Sequence, residues 1–160
     1  MISAAATTGA TAADPILPAM VVVEEIAAPS FSWDRYYVGA YGGWWDCCGG
    51  MAGVNAGKNF QLGDYFVVGI DLMAGVYDFG SIDWETYALA RAGVLLGGRV
   101  LLFGALGIGW DGPVVPAAAV GVEIGLSSAL SLRGQVLLYD AFNSPDSAGV
   151  FGFAWHFGGP

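Results

Sequence analysis

The chain has 160 residues, of which 56% are hydrophobic and only 12% are charged, and its mean hydropathy is +0.59. Soluble domains carry about 25% charged residues, so this composition indicates that part of the surface faces something other than water. The net charge is −9 with only five lysines and arginines, which excludes nucleic-acid binding because cations must contact the phosphate backbone.

The first residues are small and apolar. Residues 10–13 have the small-residue pattern of a secretory cleavage site, so we predict that 1–13 is the remnant of a signal peptide. Residues 14–32 contain an acidic pair and three prolines, and we expect an extended linker there. The prolines are Pro15, Pro18 and Pro29.

The rest of the chain is apolar enough for a membrane, but its apolar runs are too short for helices. A spanning helix needs about 20 consecutive apolar residues, whereas Arg99 and Glu123 interrupt the stretches 94–110 and 114–126. Glycine recurs throughout and weakens helices. The other structure that satisfies all backbone hydrogen bonds in lipid is a closed barrel. We therefore predict an all-β fold over residues 33–160, an eight-stranded antiparallel transmembrane β-barrel with short loops.

Eight β-like runs carry this prediction. A tilted strand needs about 9–11 residues to cross a bilayer, and single-chain bacterial barrels use even strand numbers. The runs span 34–46, 51–60, 65–77, 84–95, 99–110, 115–126, 129–141 and 147–157.

Alternation within the runs separates two faces. In the third run every second residue from Phe66 to Val76 is apolar, while Asp71 lies on the other face. A strand of this kind places its apolar face in lipid and its polar face in the lumen. The predicted lumen polar network is Asp71, Glu85, Arg91, Glu123, Arg133 and Gln135.

Charges in a narrow lumen must be paired, because an uncompensated buried charge costs several kcal/mol. We predict a cross-strand pair between Glu123 and Arg133, with Arg91 facing Asp71 or Glu85. A structural plug is the favoured interpretation of the network, and a narrow polar or proton path is the alternative.

The connections predict the orientation. Those after the second, fourth and sixth runs are tight, whereas those after the third, fifth and seventh contain Asp, Gly or Pro. A periplasmic N-terminus and linker would place the tight turns in the periplasm, as such barrels prefer. Aromatic residues at the run ends then form two interfacial girdles. The predicted girdle residues are Trp33, Tyr36, Trp44, Trp45, Trp84, Trp110, Trp155 and Phe157.

Other reactive residues give weak signals. Cys47 and Cys48 are adjacent, and they could form a strained vicinal disulfide, carry a modification, join two copies or be inert. His156 has no serine near it in sequence, the closest being Ser147, so no nucleophile–base arrangement is evident. We predict no catalytic residues, no cofactor and no metal site, and therefore no enzyme.

Three stretches resemble small outer-membrane barrels, the OmpA-like transmembrane, RopB-like proteins of alphaproteobacteria. Residues 121–140 are similar to their penultimate hairpin, with G-V-E-I, a short turn and L-S-L-R-G-Q-V. Residues 33–40, W-D-R-Y-Y-V-G-A, resemble their first strand, and 152–157, G-F-A-W-H-F, resemble the closing strand. The resemblance implies an outer-membrane barrel in a Gram-negative envelope. It also implies that the barrel-assembly machinery recognises the terminal aromatics Phe153, Trp155 and Phe157.

The chain departs from that pattern in several places. Residues 158–160 follow the terminal Phe157, Ile124 replaces an aromatic residue, and Gln135 and Leu137 stand where Glu and an aromatic are common. The lumen is therefore expected to be less charged than in relatives. The loops are also shorter, which argues against an adhesion role.

Three functions remain open at this stage. The first is a structural outer-membrane barrel that contributes to envelope integrity, in contact with membrane lipids, and packs against other membrane proteins or itself through Ala88, Ala90 and Ala92. The second is a small, porin-like pore or a hydrophobic-ligand binder or transporter that uses the barrel interior. The third is a soluble lipocalin-like barrel.

Overall fold

The computed structural model describes residues 31–46, 49–78, 82–110, 112–143 and 145–159. They form one closed antiparallel barrel in which each strand pairs with the next and β1 pairs with β8. Every predicted run coincides with one strand, with small differences at the ends. The strands are β1 (Tyr36–Trp45), β2 (Gly49–Leu62), β3 (Phe66–Asp78), β4 (Ile82–Leu96), β5 (Val100–Trp110), β6 (Val114–Gly125), β7 (Leu130–Tyr139) and β8 (Asp146–Phe157).

Among the described residues, no helix is long and apolar enough to cross a membrane. The predicted signal-peptide remnant, most of the predicted linker, and Cys47 and Cys48 lie outside the described residues.

The predicted alternation is present on the strands. On β3, Phe66, Ile70 and Leu72 are exposed on the outer wall, while Asp71 and Met73 are buried in the lumen. The same period of two places alternate residues of β4 to β8 inside and outside. The outer wall is therefore apolar along most of its height, and most polar side chains of the strands face inward.

The two ends of the barrel differ in the connections between their strands. At the turn end, residues 63–65, 97–99 and 126–129 connect the strands, and the chain enters and leaves the barrel there. Gly63, Gly97 and Gly98 have φ values of 65°, 59° and 72°, a region that favours glycine and allows these tight turns. The opposite end is called the loop end, and its connections are 46–48, 79–81, 111–113 and 140–145.

The segment before β1 fills the mouth of the barrel at the turn end. Phe31 and Trp33 are buried there, and the Trp33 indole donates a hydrogen bond to the Gly98 carbonyl at 3.0 Å. Gly125 makes room for Phe31, since a Cβ at this position would lie 2.6 Å from the ring. Phe31 and Trp33 form an aromatic cap together with Val67, Leu95, Leu101 and Phe103.

The cap corrects two sequence predictions. Trp33 was predicted in the outer girdle, but its exposed fraction is 0%. Its side chain points into the open barrel mouth, where burial against Phe31 replaces contact with the membrane interface. Phe31 was assigned to the linker, yet it packs inside the barrel.

Candidate functional site

The six predicted lumen residues all lie inside the barrel. Asp71 comes from β3, Glu85 and Arg91 from β4, Glu123 from β6, and Arg133 and Gln135 from β7; all are buried. Each occupies an inward position of its strand, so alternation alone brings them to the lumen.

Glu123 is the centre of the ionic cluster. One carboxylate oxygen, Oε2, accepts from Arg91 Nη2 at 2.7 Å and from Arg133 Nε at 3.1 Å. The other, Oε1, accepts from Ser131 Oγ at 2.7 Å. Glu123 and Arg133 are direct cross-strand neighbours on β6 and β7, so the predicted pair forms.

The predicted partner of Arg91 is wrong. Arg91 forms its ion pair with Glu123 and not with Asp71 or Glu85. Asp71 instead forms an ion pair with Arg133, which reaches it from the opposite wall of the barrel. The predicted partners lie on the same strand as Arg91 or on the adjacent one, but an eight-stranded lumen is narrow enough for long side chains to cross it. The two carboxylates and two guanidinium groups balance in charge.

Aromatic rings and an amide complete the surroundings of these charges. The Arg91 guanidinium lies 4.4 Å from the Phe103 ring, and that of Arg133 lies 5.1 Å from the Tyr37 ring. Asn55 Nδ2 donates to Asp71 Oδ1 at 3.4 Å. Cation–π contacts and hydrogen bonds of this kind compensate for the removal of the charges from water.

Ser131 and His156 join the cluster, and the sequence analysis missed both. His156 Nε2 is 2.8 Å from Ser131 Oγ and 3.3 Å from Glu123 Oε1. The alternation of β7 and β8 indicates that both side chains point into the lumen. Ser131 shares a face with Arg133, and His156 lies on the face opposite the outward Trp155. The serine nearest to His156 in sequence is Ser147, whereas the pairing of β7 with β8 brings Ser131 to it.

The three residues do not have the geometry of a hydrolytic triad. There the carboxylate orients the imidazole from Nδ1 while the serine approaches Nε2. Here both Ser131 and Glu123 lie at Nε2, and Nδ1 has no hydrogen-bond partner among the described residues. All three side chains are also buried. The arrangement is a polar contact network.

Towards the loop end the interior is mostly apolar. Glu85 accepts hydrogen bonds from Tyr41 and Tyr87 at 3.5 and 3.2 Å. Gln135 Nε2 contacts the Met73 sulfur at 3.6 Å. The surrounding core includes Trp45, Met51, Tyr77, Leu89, Leu137 and Val150.

A small cavity lies between Arg133, Gln135 and Tyr41, where the ionic cluster meets the mostly apolar interior towards the loop end. Its volume is about 10 Å³, close to the minimum that holds one water molecule. No group of three or more His, Cys, Asp or Glu side chains within the described residues is placed to hold a metal ion.

The predicted girdle residues are mostly on the outer wall. Trp84 is 73% exposed, and the other outward members are Tyr36, Trp44, Trp110, Trp155 and Phe157. Trp45 contradicts the prediction, because it points inward and is only 5% exposed. Adjacent residues of a strand face opposite sides, so Trp44 and Trp45 cannot both face lipid. The terminal-strand aromatics Phe153, Trp155 and Phe157 all face outward.

The fold is similar to that of known transmembrane barrels, although no protein-family model and no curated protein matches the chain. The N-terminal β-barrel domain of Pseudomonas aeruginosa OprF aligns with a TM-score of 0.60 and 14% identity, over 78% of this chain and 98% of that one. Ail, the attachment invasion locus protein of Yersinia pestis, aligns with a TM-score of 0.55 and 13% identity, over 79% and 100%. A de novo designed transmembrane barrel gives 0.54 and 14%, over 81% and 100%.

These likenesses confirm the predicted fold, an eight-stranded antiparallel barrel of the kind found in outer membranes. Membership of the RopB-like family stays a prediction.

Proposed function

We propose that this chain is an outer-membrane β-barrel protein whose lumen is plugged by its own side chains and whose role in the envelope is structural. The observation that carries the proposal is the ion pairing across the lumen. Arg133 joins Asp71 on the opposite wall, and Arg91 joins Glu123 across β5. Side chains linked in this way occupy the cross-section that a pore would need.

The outer wall and the ends of the barrel support the location. The exposed apolar side chains of the wall favour contact with lipid, and the outward tryptophans favour the two membrane–water interfaces. The turn end, with the N-terminus, is assigned to the periplasm. The outward aromatics of β8, which end at Phe157, are available to the barrel-assembly machinery.

The proposal excludes enzymatic activity. Ser131, His156 and Glu123 are the residues of catalytic type that lie together in the described barrel, and their geometry differs from that of a triad. Their burial also denies them a substrate. They stabilise the barrel instead.

Membrane insertion is tested by expression of the full chain and separation of inner and outer membranes. We expect the protein in the outer-membrane fraction, and a band that migrates differently on a gel after boiling, because small barrels resist SDS until heated. Recovery as a monodisperse soluble protein without detergent would contradict the proposal and favour the lipocalin-like alternative.

The plug is tested in planar bilayers. We expect no steady conductance from the wild-type barrel, because paired side chains fill its lumen. Stable single-channel steps from heat-modifiable protein would contradict the plug and support the pore alternative.

The envelope role is tested by deletion of the gene in its host. We expect greater sensitivity to detergent and to large antibiotics that intact outer membranes exclude, with recovery on complementation. Unchanged sensitivity would remove the structural role and leave the barrel location standing.

A further inference from the structure

The outer wall carries a cation in an apolar setting. Lys58 lies at an outward position of β2, between Ala56 and Phe60, and its cross-strand neighbours are Tyr36 on β1 and Ile70 on β3. Its ammonium lies 4.4 Å from the Tyr36 ring and 4.7 Å from the Phe60 ring. Among the described residues no carboxylate forms an ion pair with it.

The height of Lys58 on the wall explains how this charge is tolerated. Tyr36 is the first residue of β1 and pairs with Phe157, the last residue of β8, so Lys58 lies near the turn-end rim. A lipid-facing lysine is strongly destabilising at the bilayer midplane but costs little near an interface. Aromatic neighbours and a long side chain let the ammonium reach the headgroups.

An apolar groove begins on the wall immediately above Lys58. The next row of outward residues is Trp155, Val38, Ala56 and Leu72, and the row after it is Phe153, Ala40, Val54 and Ala74. The small side chains of Ala40, Ala56 and Ala74 leave room among the larger side chains that line the same groove, which are Val38, Val54, Leu72, Phe153 and Trp155. The groove has a volume of about 540 Å³, within the range of about 300–1,000 Å³ typical of ligand sites.

We propose that Lys58 and this groove form one binding site for an anionic phospholipid of the periplasm-facing leaflet. The ammonium binds the phosphate, Tyr36 and Phe60 flank it at the interface, and one acyl chain lies over Ala56 and Ala40. The cation and the groove are independent observations, and the strand register makes them continuous. The inference rests on the proposed membrane location and adds a lipid partner to it.

The test uses the full chain in neutral detergent, mixed with equal amounts of phosphatidylglycerol and phosphatidylcholine, and native mass spectrometry counts the lipids retained. We expect the wild type to keep one phosphatidylglycerol with about fivefold preference, as one lysine near a membrane surface contributes about 1 kcal/mol. Lys58→Met should remove the preference, and Lys58→Arg should keep it. Added salt should reduce it.

The groove is tested by filling it. Ala56→Phe should abolish retention of both lipids, while Ala90→Phe, at an outward position of β4 outside the groove, should leave it unchanged. Ala40→Leu fills the same groove with a smaller side chain. It tests the groove independently if Ala56→Phe fails to fold.

Two results would overturn the inference: the same preference in Lys58→Met, or equal retention in Ala56→Phe, Ala40→Leu and Ala90→Phe. Heat-modifiable migration of every variant separates this failure from failure of the membrane location. If the wild type forms no heat-modifiable barrel, the proposed function fails; if it does and the lipid preference is absent, only the lipid site fails.

Discussion

In the half of the lumen near the turn end, ion pairs cross from wall to wall, whereas the half near the loop end is filled mainly by apolar and tyrosine side chains. Asp71, Arg91, Glu123 and Arg133 lie in the first half, and Leu137, Met73 and Val150 in the second. Burial is similar in both halves, but the cost of losing a partner differs. A buried charge that loses its partner costs several kcal/mol. The loss of an apolar contact costs an amount proportional to the apolar area that the contact buries.

Arg133→Met is expected to have the largest effect, a loss of about 3–5 kcal/mol in the free energy of unfolding. The substitution leaves Asp71 without its ion pair and leaves Glu123 with one guanidinium partner, Arg91, instead of two. Urea unfolding in phosphocholine vesicles would measure the loss as a shift of the midpoint at constant slope. A loss below about 1 kcal/mol would mean that the cross-lumen pairs do not stabilise the barrel.

Gly125→Ala tests the aromatic cap, which closes the turn end of the barrel next to the half of the lumen that contains the ion pairs. The new methyl group meets the Phe31 ring, and overpacking of this kind costs about 1–3 kcal/mol. Gly149→Ala is the control, because a Cβ at Gly149 has nothing within 4 Å.

The same unfolding assay should show that Gly125→Ala costs little when it is made in a Phe31→Ala background, because the ring that its methyl group meets is then absent. If Gly149→Ala destabilises as much as Gly125→Ala, or if Gly125→Ala costs as much without the Phe31 ring as with it, the cap does not pack as described.

Gln135→Met is expected to have the smallest effect, within about 1 kcal/mol. Gln135 lies two residues from Arg133 on the same face of β7, but its contact is the Met73 sulfur. A buried polar group replaced by an apolar group of similar volume usually changes stability little. A loss equal to that of Arg133→Met would remove the distinction between the two halves.

Composition and the length of the apolar runs were enough to predict a barrel, and alternation was enough to predict the inward direction of the polar residues, because a strand has a fixed period of two. It also predicted the Glu123–Arg133 pair, which needs only neighbouring strands in register. The partner of Arg91 depended on distances across the lumen, and these are set by closure of the barrel rather than by any local pattern.

The remaining errors have separate causes. The residue type of Trp45 suits an interface, but adjacent residues of a strand face opposite sides, so only one of Trp44 and Trp45 can face lipid. The position of Trp33 depends on an open mouth that only the closed barrel creates. His156 and Ser131 meet because β7 and β8 are neighbours, with Ser131 paired to Ala154, two residues from His156.

The most direct measurement of the central claim is the environment of a spin label on the outer wall. Leu106→Cys and Leu132→Cys would be labelled in a Cys47→Ser/Cys48→Ser background and reconstituted in bilayers; Leu106 is 62% exposed at the middle of β5. We predict that both labels collide with oxygen dissolved in lipid far more than with a water-soluble nickel chelate. Preferential collision with the chelate at either position would show that the apolar wall faces water, and would contradict the account.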